Sequence, residues 1–128
     1  MFLNISNHPS GKWSTEQLKA ATHQFGSMID MPFPNVPAIA TTEEVTEMAK
    51  NLMAEILRQF PKDGIAPNTG TAMVQGEFSL CSELWRMLSA IGWDLVVATS
   101  ERVTVDNGDG TKTTRFDFVQ FRNIRPFV

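Results

Sequence analysis

The chain has 128 residues, enough for one domain with a real core, and its 42% hydrophobic content is ordinary for a globular protein. Eleven Lys and Arg against fourteen Asp and Glu leave a net charge of −3, which argues against sequence-independent binding to duplex DNA, where many phosphates must be neutralised together. A small phosphate-bearing ligand, met by two or three local cations, stays open.

A single cysteine, Cys81, rules out an internal disulfide framework, and its place on the apolar stripe of a helix reads as a small buried hydrophobe. No apolar run approaches the ~18 residues of a membrane span. Asn4, Asn7, His8 and Lys12 interrupt any secretory core near the start. The expectation is a cytoplasmic protein, one domain over residues 1–128, with no membrane partner.

Phe2 to Ser6 reads as a short strand, followed by the polar loop Asn7-His8-Pro9-Ser10-Gly11-Lys12. Ser14 and Gln17 form a capping-box pattern, Leu18, Ala21 and Phe25 follow at helical spacing, and Gly26 stops the helix. Met28 to Met31 is a second strand, and Pro32, Pro34 and Pro37 forbid a regular element through that stretch. Thr41 and Glu44 are a second capping box, ahead of the stripe Val45, Met48, Ala49, Leu52, Ile56 and Phe60, with Pro61 as the stop and 62–70 as a loop. Thr71 to Gln75 is a third strand, stopped by Gly76. Phe78 to Ile91 is a third helix, with Leu80, Cys81, Leu84, Trp85, Leu88 and Ile91 on one stripe and Gly92 at its end.

Leu95-Val96-Val97-Ala98 is a continuous apolar run of the kind buried on both faces of a parallel sheet, and Thr99-Ser100-Glu101-Arg102 follows as its end. Alternating Val103 and Val105, the turn Asn107-Gly108-Asp109-Gly110, and alternating Phe116 and Phe118 make a hairpin. The order β-α-β-α-β-α-β-β implies right-handed crossovers. The fold class is therefore α/β: a three-layer Rossmann-like sandwich, its sheet mostly parallel, with a C-terminal antiparallel β-hairpin.

Ligands of such sheets bind at the carboxyl ends of the parallel strands. Those ends carry Asn7, His8, Ser10 and Lys12 after the first strand, Gly76, Glu77 and Phe78 after the third, and Ser100, Glu101 and Arg102 after the fourth. Gly76 permits close backbone approach, and the free N–H groups of the helix behind it suit a phosphate. Arg102 offers a planar fork for phosphate or base edges, while Glu77 and Glu101 suit ribose hydroxyls or amino groups. Each has a plainer alternative: His8 as a turn cap, Lys12 as a solvated charge, Glu77 as a helix-dipole partner, Arg102 paired with Glu101 or Asp106. Trp13 and Trp85 suit packing better than stacking. No dinucleotide glycine pattern, phosphate-loop lysine, nucleophile elbow or clustered metal ligands occur, so no cofactor or metal is expected.

These pieces, Leu3 to Ser10, Gly76-Glu77-Phe78, Thr99-Ser100-Glu101-Arg102 and Phe116 to Arg122, resemble small stand-alone CRISPR-associated proteins on the CARF (CRISPR-associated Rossmann fold) plan, over nearly the whole chain. The resemblance implies a homodimer that binds a cyclic oligoadenylate across its two-fold axis. It also implies ring nuclease activity on cyclic tetra-adenylate, ending type III antiviral signalling. The implied chemistry is metal-independent attack of a ribose 2′-hydroxyl on the adjacent phosphate. His8, Lys12 and Ser10 are then the catalytic candidates. Asn7, Gly76, Glu77, Phe78, Ser100, Glu101 and Arg102 are the ligand-binding ones. A non-catalytic module that sequesters the ligand, and an interaction domain whose strand-end loops are only turns, are the competing expectations.

Overall fold

The structure is a computed structural model that describes residues 1–59 and 70–125. Strand β1 (Phe2–Ser6) leads through a short 3-10 turn (Ser10–Lys12) into α1 (Thr15–Phe25) and then β2 (Met28–Pro32). Helix α2 (Thr42–Gln59), β3 (Thr71–Gln75) and α3 (Phe78–Ala90) follow, and β4 (Asp94–Asp106) pairs with β5 (Lys112–Ile124). The fold is α/β. The expected Phe60 contact, the stop at Pro61 and the loop 62–69 lie outside the described residues.

The helix starts follow their side-chain chemistry. Gln17 N–H donates to Ser14 Oγ at 3.2 Å, and Gly26 closes α1 at φ 80°. At α2 the box is reciprocal: Glu44 N–H donates to Thr41 Oγ1 at 3.1 Å, and the Thr41 hydroxyl donates to Glu44 Oε1 at 3.2 Å. Strand β2 runs one residue further than the sequence suggests, into Pro32. It is an edge strand, so the missing N–H costs no ladder bond.

The sheet order is β2-β1-β3-β4-β5, with β1 parallel to β2 and β3, β3 parallel to β4, and β5 antiparallel. The chain steps one way from β1 to β2 and the other way from β2 to β3. That reversal puts α1 on one face and α2 with α3 on the other. Alternation along β1 feeds both cores. Leu3 and Ile5 join Ala49, Ile56, Leu84 and Leu88 under α2 and α3. Phe2 joins Trp13, Ala21, Met73, Val96 and Phe121 under α1.

One expectation is corrected. Thr99 to Arg102 do not form a strand-end loop; β4 runs unbroken to Asp106. Its parallel pairing to β3 stops at Met73↔Val96, after which β5 alone completes its ladder down to Asp106↔Lys112. A two-stranded ribbon needs paired backbone rather than buried side chains, so polar residues there are still strand. From Ala98 to Asp106 the ribbon is an arm about 26 Å long at ~3.3 Å per residue. The Gly108 and Gly110 turn, at φ 78° and 88°, forms its tip.

Candidate functional site

The first loop is set by two polar residues on a strand otherwise built of apolar ones. Asn4 is 1% exposed and Ser6 is buried beside it, both on the α1 face of β1. The Ser6 hydroxyl donates to Asn4 Oδ1 at 2.7 Å and accepts His8 N–H at 3.2 Å. Asn4 Nδ2 donates to the His8 carbonyl at 3.0 Å and to Asp30 Oδ1 at 2.9 Å. The Trp13 indole N–H donates to the same His8 carbonyl at 2.8 Å. A polar network satisfied in this way rigidifies what it holds. The His8 backbone is thus fixed while its side chain stays exposed.

A cleft of about 360 Å³ opens above this loop. Ser6 and His8 line it from β1, Lys12, Trp13, Ser14 and Gln17 from the start of α1, and Met73 and Gln75 from β3. Ala98, Thr99, Ser100, Phe116 and Phe118 close it from the arm. It lies where the strand order reverses between β1 and β3, at the carboxyl ends of the parallel strands, the usual ligand crevice of open α/β sheets. Its base is apolar, its rim carries hydroxyl, amide, imidazole and ammonium groups, and no carboxylate lines it among the described residues. In a chain of net charge −3, that leaves a local environment suited to an anion.

Gln75 holds the cleft together where the sheet gives out. Its Oε1 accepts Ala98 N–H at 2.8 Å, just beyond the last β3–β4 ladder pair. The amide NH₂ is the end left to donate.

The ten sequence-expected residues separate. His8, Lys12 and Ser100 meet in the cleft. Ser10 is outside its lining: its hydroxyl donates to Asp30 Oδ2 at 2.7 Å and its N–H to Asp30 Oδ1 at 3.2 Å, tying the loop to β2. Asn7 lines a separate hollow with Asp30 and Phe33. At Gly76 an added Cβ would stand 2.6 Å from the Phe33 ring, so this glycine makes room for an aromatic side chain rather than for a ligand.

Glu77 overturns the expectation of free donors at α3. Its carboxylate accepts Ser79 N–H at 3.0 Å and Leu80 N–H at 2.9 Å, and the Ser79 hydroxyl adds to it. These bonds, the Ser79 hydroxyl first, hold its carboxyl below the usual carboxylate range. The Glu77 carboxylate already occupies the helix start and takes up the Ser79 and Leu80 N–H groups, so a phosphate there would meet a like charge; the dipole-partner reading of Glu77 is the one observed. Phe78 is 83% exposed on the first turn of α3.

Glu101 and Arg102 stand on opposite sides of the arm. Glu101 is opposite Asp117, and Arg102 is opposite Phe116, on the side that continues the cleft wall. Arg102 makes no ion pair with Glu101 or Asp106 among the described residues; the arm's ion pair is Arg115 with Asp117 at 3.0 Å. Cys81 is buried, as its stripe position implies, and burial pushes its thiol up to about 11. Trp13 packs in the aromatic cluster of Phe2, Phe25 and Phe121.

Sequence reasoning missed Ser14, Gln17, Gln75, Thr99, Phe116 and Phe118 as cleft residues, and Asn4 as the organiser of the loop. Asn4 carried a usable signal, a polar residue inside an otherwise apolar strand. Gln75 carried a weaker one, a polar residue at a strand end. Among the described residues, no helix is long and apolar enough to cross a membrane, and no three His, Cys, Asp or Glu side chains come together to hold a metal ion.

No curated protein and no solved structure matches the chain. The model of the Uncharacterized protein MJ1673 family matches residues 1–122, nearly the full length, and the chain belongs to that family.

Proposed function

We propose that the protein binds a cyclic oligoadenylate, cyclic tetra-adenylate first among them, in the cleft between β1, β3 and the arm, and cleaves it without a metal. The observation that carries this reading is the convergence of His8 and Lys12 with the polar groups of Ser14, Gln17, Gln75 and Ser100 around a cleft that no carboxylate of the described residues lines. The resemblance of the strand-end segments to CARF-type ring nucleases supports the choice of ligand.

The nucleophile belongs to the ligand. A ribose 2′-oxygen attacks the adjacent phosphorus, the bond from phosphorus to the 5′-oxygen breaks, and a 2′,3′-cyclic phosphate and a 5′-hydroxyl result. Holding the 2′-oxygen in line with the leaving oxygen supplies several kcal/mol by orientation alone. His8 takes the 2′-proton, and water entering the open cleft protonates the leaving 5′-oxygen. An imidazole nitrogen within hydrogen-bond reach of the hydroxyl is a common proton acceptor for such a step. The Lys12 ammonium and the Gln75 amide donors face the charge that develops on the phosphate oxygens. A two-fold ligand on a homodimer would use each set twice.

A second reading, sequestration without turnover, is favoured by one feature: a single imidazole lines the cleft, so both proton transfers do not have their own side chain. Incubating labelled cyclic tetra-adenylate with stoichiometric protein in EDTA separates the two. Linear products ending in 2′,3′-cyclic phosphate are expected. Tight binding with intact ligand would replace cleavage by sequestration, and no binding at all would remove both readings.

A further inference from the structure

The arm carries a pair of residues that the cleavage chemistry does not use. Phe116 and Arg102 are directly opposite each other on β5 and β4, two ladder pairs beyond Phe118 and Ser100 in the cleft wall. Opposite residues of an antiparallel pair share a face, so both continue that wall outward. Phe116 is 69% exposed and stacks on no other ring among the described residues, whereas Phe118 behind it leans on Phe121 at 5.0 Å. The carboxylates nearest in sequence, Glu101 and Asp117, form the next opposite pair and so lie on the other side of the ribbon. An aromatic face beside a guanidinium, neither with a partner among the described residues and both above an anion-suited cleft, is a recurrent means of holding a nucleotide: base on the ring, charge on the cation.

We infer that Phe116, flanked by Arg102, is the platform on which a purine base of the bound ligand stacks while its phosphate rests at Lys12 and His8. This rests on the reading of the cleft as a nucleotide site. It adds that recognition has a base-dependent part on the arm, separate from the phosphate-dependent part in the cleft. Stacking on an aromatic face tolerates any base, so the arm confers affinity and placement, and discrimination among bases comes from hydrogen bonds elsewhere.

The test uses titration calorimetry with cyclic tetra-adenylate and with ribose 5-phosphate, which keeps the phosphate and lacks the base. Phe116→Ala should weaken cyclic tetra-adenylate binding by about 5- to 100-fold, the range of one lost base stack. It should leave ribose 5-phosphate unchanged. Phe116→Trp should retain full affinity, and Arg102→Gln should weaken the cyclic ligand less than Phe116→Ala. Equal weakening of both probes, or unchanged binding of the cyclic ligand by Phe116→Ala, overturns the inference while leaving the cleft reading intact. A switch from dimer to monomer on a sizing column, with affinity per protomer unchanged, also overturns it and makes Phe116 a contact between copies. Failure of the unsubstituted protein to bind either probe removes the cleft reading itself.

Discussion

The Gln75 amide oxygen accepts the Ala98 N–H at 2.8 Å, standing in for the β3 carbonyl that would have accepted it had the parallel ladder continued. One side chain thereby joins the central strand of the sheet to the root of the arm. Replacing Gln75 with Leu leaves a partly buried N–H unpaired, and a loss of about 1–3 kcal/mol in urea unfolding is expected. Gln75→Glu keeps an acceptor there but places a carboxylate in the cleft. Its unfolding free energy should stay closer to the parent's while cyclic tetra-adenylate binding falls, a combination that calorimetry and urea titration together would detect.

Gly76 and Phe33 make the opposite kind of pair, in which what matters is an atom that is missing. Gly76→Ala sets a methyl group 2.6 Å from the Phe33 ring. Overpacking of that order costs about 1–3 kcal/mol. Phe33→Leu in the same chain should recover part of the loss, because a smaller side chain vacates the overlap. Additive losses in the double-mutant cycle would show that the two positions do not touch.

Glu77 predicts a pH signature. Its folded carboxyl lies below the ordinary value of 4.5, so its contribution to stability is present above that value and lost as pH falls through the folded one. The difference in melting temperature between the parent and Glu77→Gln should therefore be largest near neutrality and close in acid. A difference that stays the same from neutrality through acid, until the whole protein unfolds, would show that the capping carboxylate is not responsible.

Ser10, His8 and Lys12 are neighbours in sequence with separate expected effects. Ser10 is bound to Asp30, so Ser10→Ala should lower stability by about 0.5–1.5 kcal/mol and leave ligand cleavage unaltered. His8→Ala should slow cleavage by about 10²–10⁴-fold, the usual range for a proton-transfer group, with an unchanged melting curve. Lys12→Ala should slow it as well, with an added salt dependence of binding lost. Equal rates for His8→Ala and the parent would move the chemistry off this loop.

Much of the fold is legible in the amino-acid sequence. Ser14, Gly26 and Thr41 mark helix ends by local bonds that spacing alone reveals, and Leu95 to Ala98 announces a buried strand by continuous apolarity. The arm could not be read in the same way. Its residues are mostly exposed, and an exposed strand has the composition of a loop, so Thr99 to Arg102 carried no sign of their ladder. The cleft was half legible for a related reason. His8 and Lys12 follow directly from where β1 stops, whereas Gln75, Phe116 and Phe118 enter it through partners 23 or more residues away or through an arm whose path the sequence does not disclose. Glu77 was ambiguous because a carboxylate at a helix start serves equally as a cap or as a ligand for hydroxyls. Only the bonds to Ser79 and Leu80 decide between them.

The arm's irregularity has a practical consequence. Across the strands Thr99 faces Gln120 and Ser100 faces Phe118, which leaves Val119 with no counterpart. That extra residue lets Phe118 and Phe121 share a side despite an odd separation, and such an insertion also bends its strand. Removing Val119 would therefore preserve every cross-strand partnership while straightening the ribbon. Shortening the chain, normally the harsher change, becomes here a goniometer: it turns the arm against the cleft without altering a single residue that either of them presents.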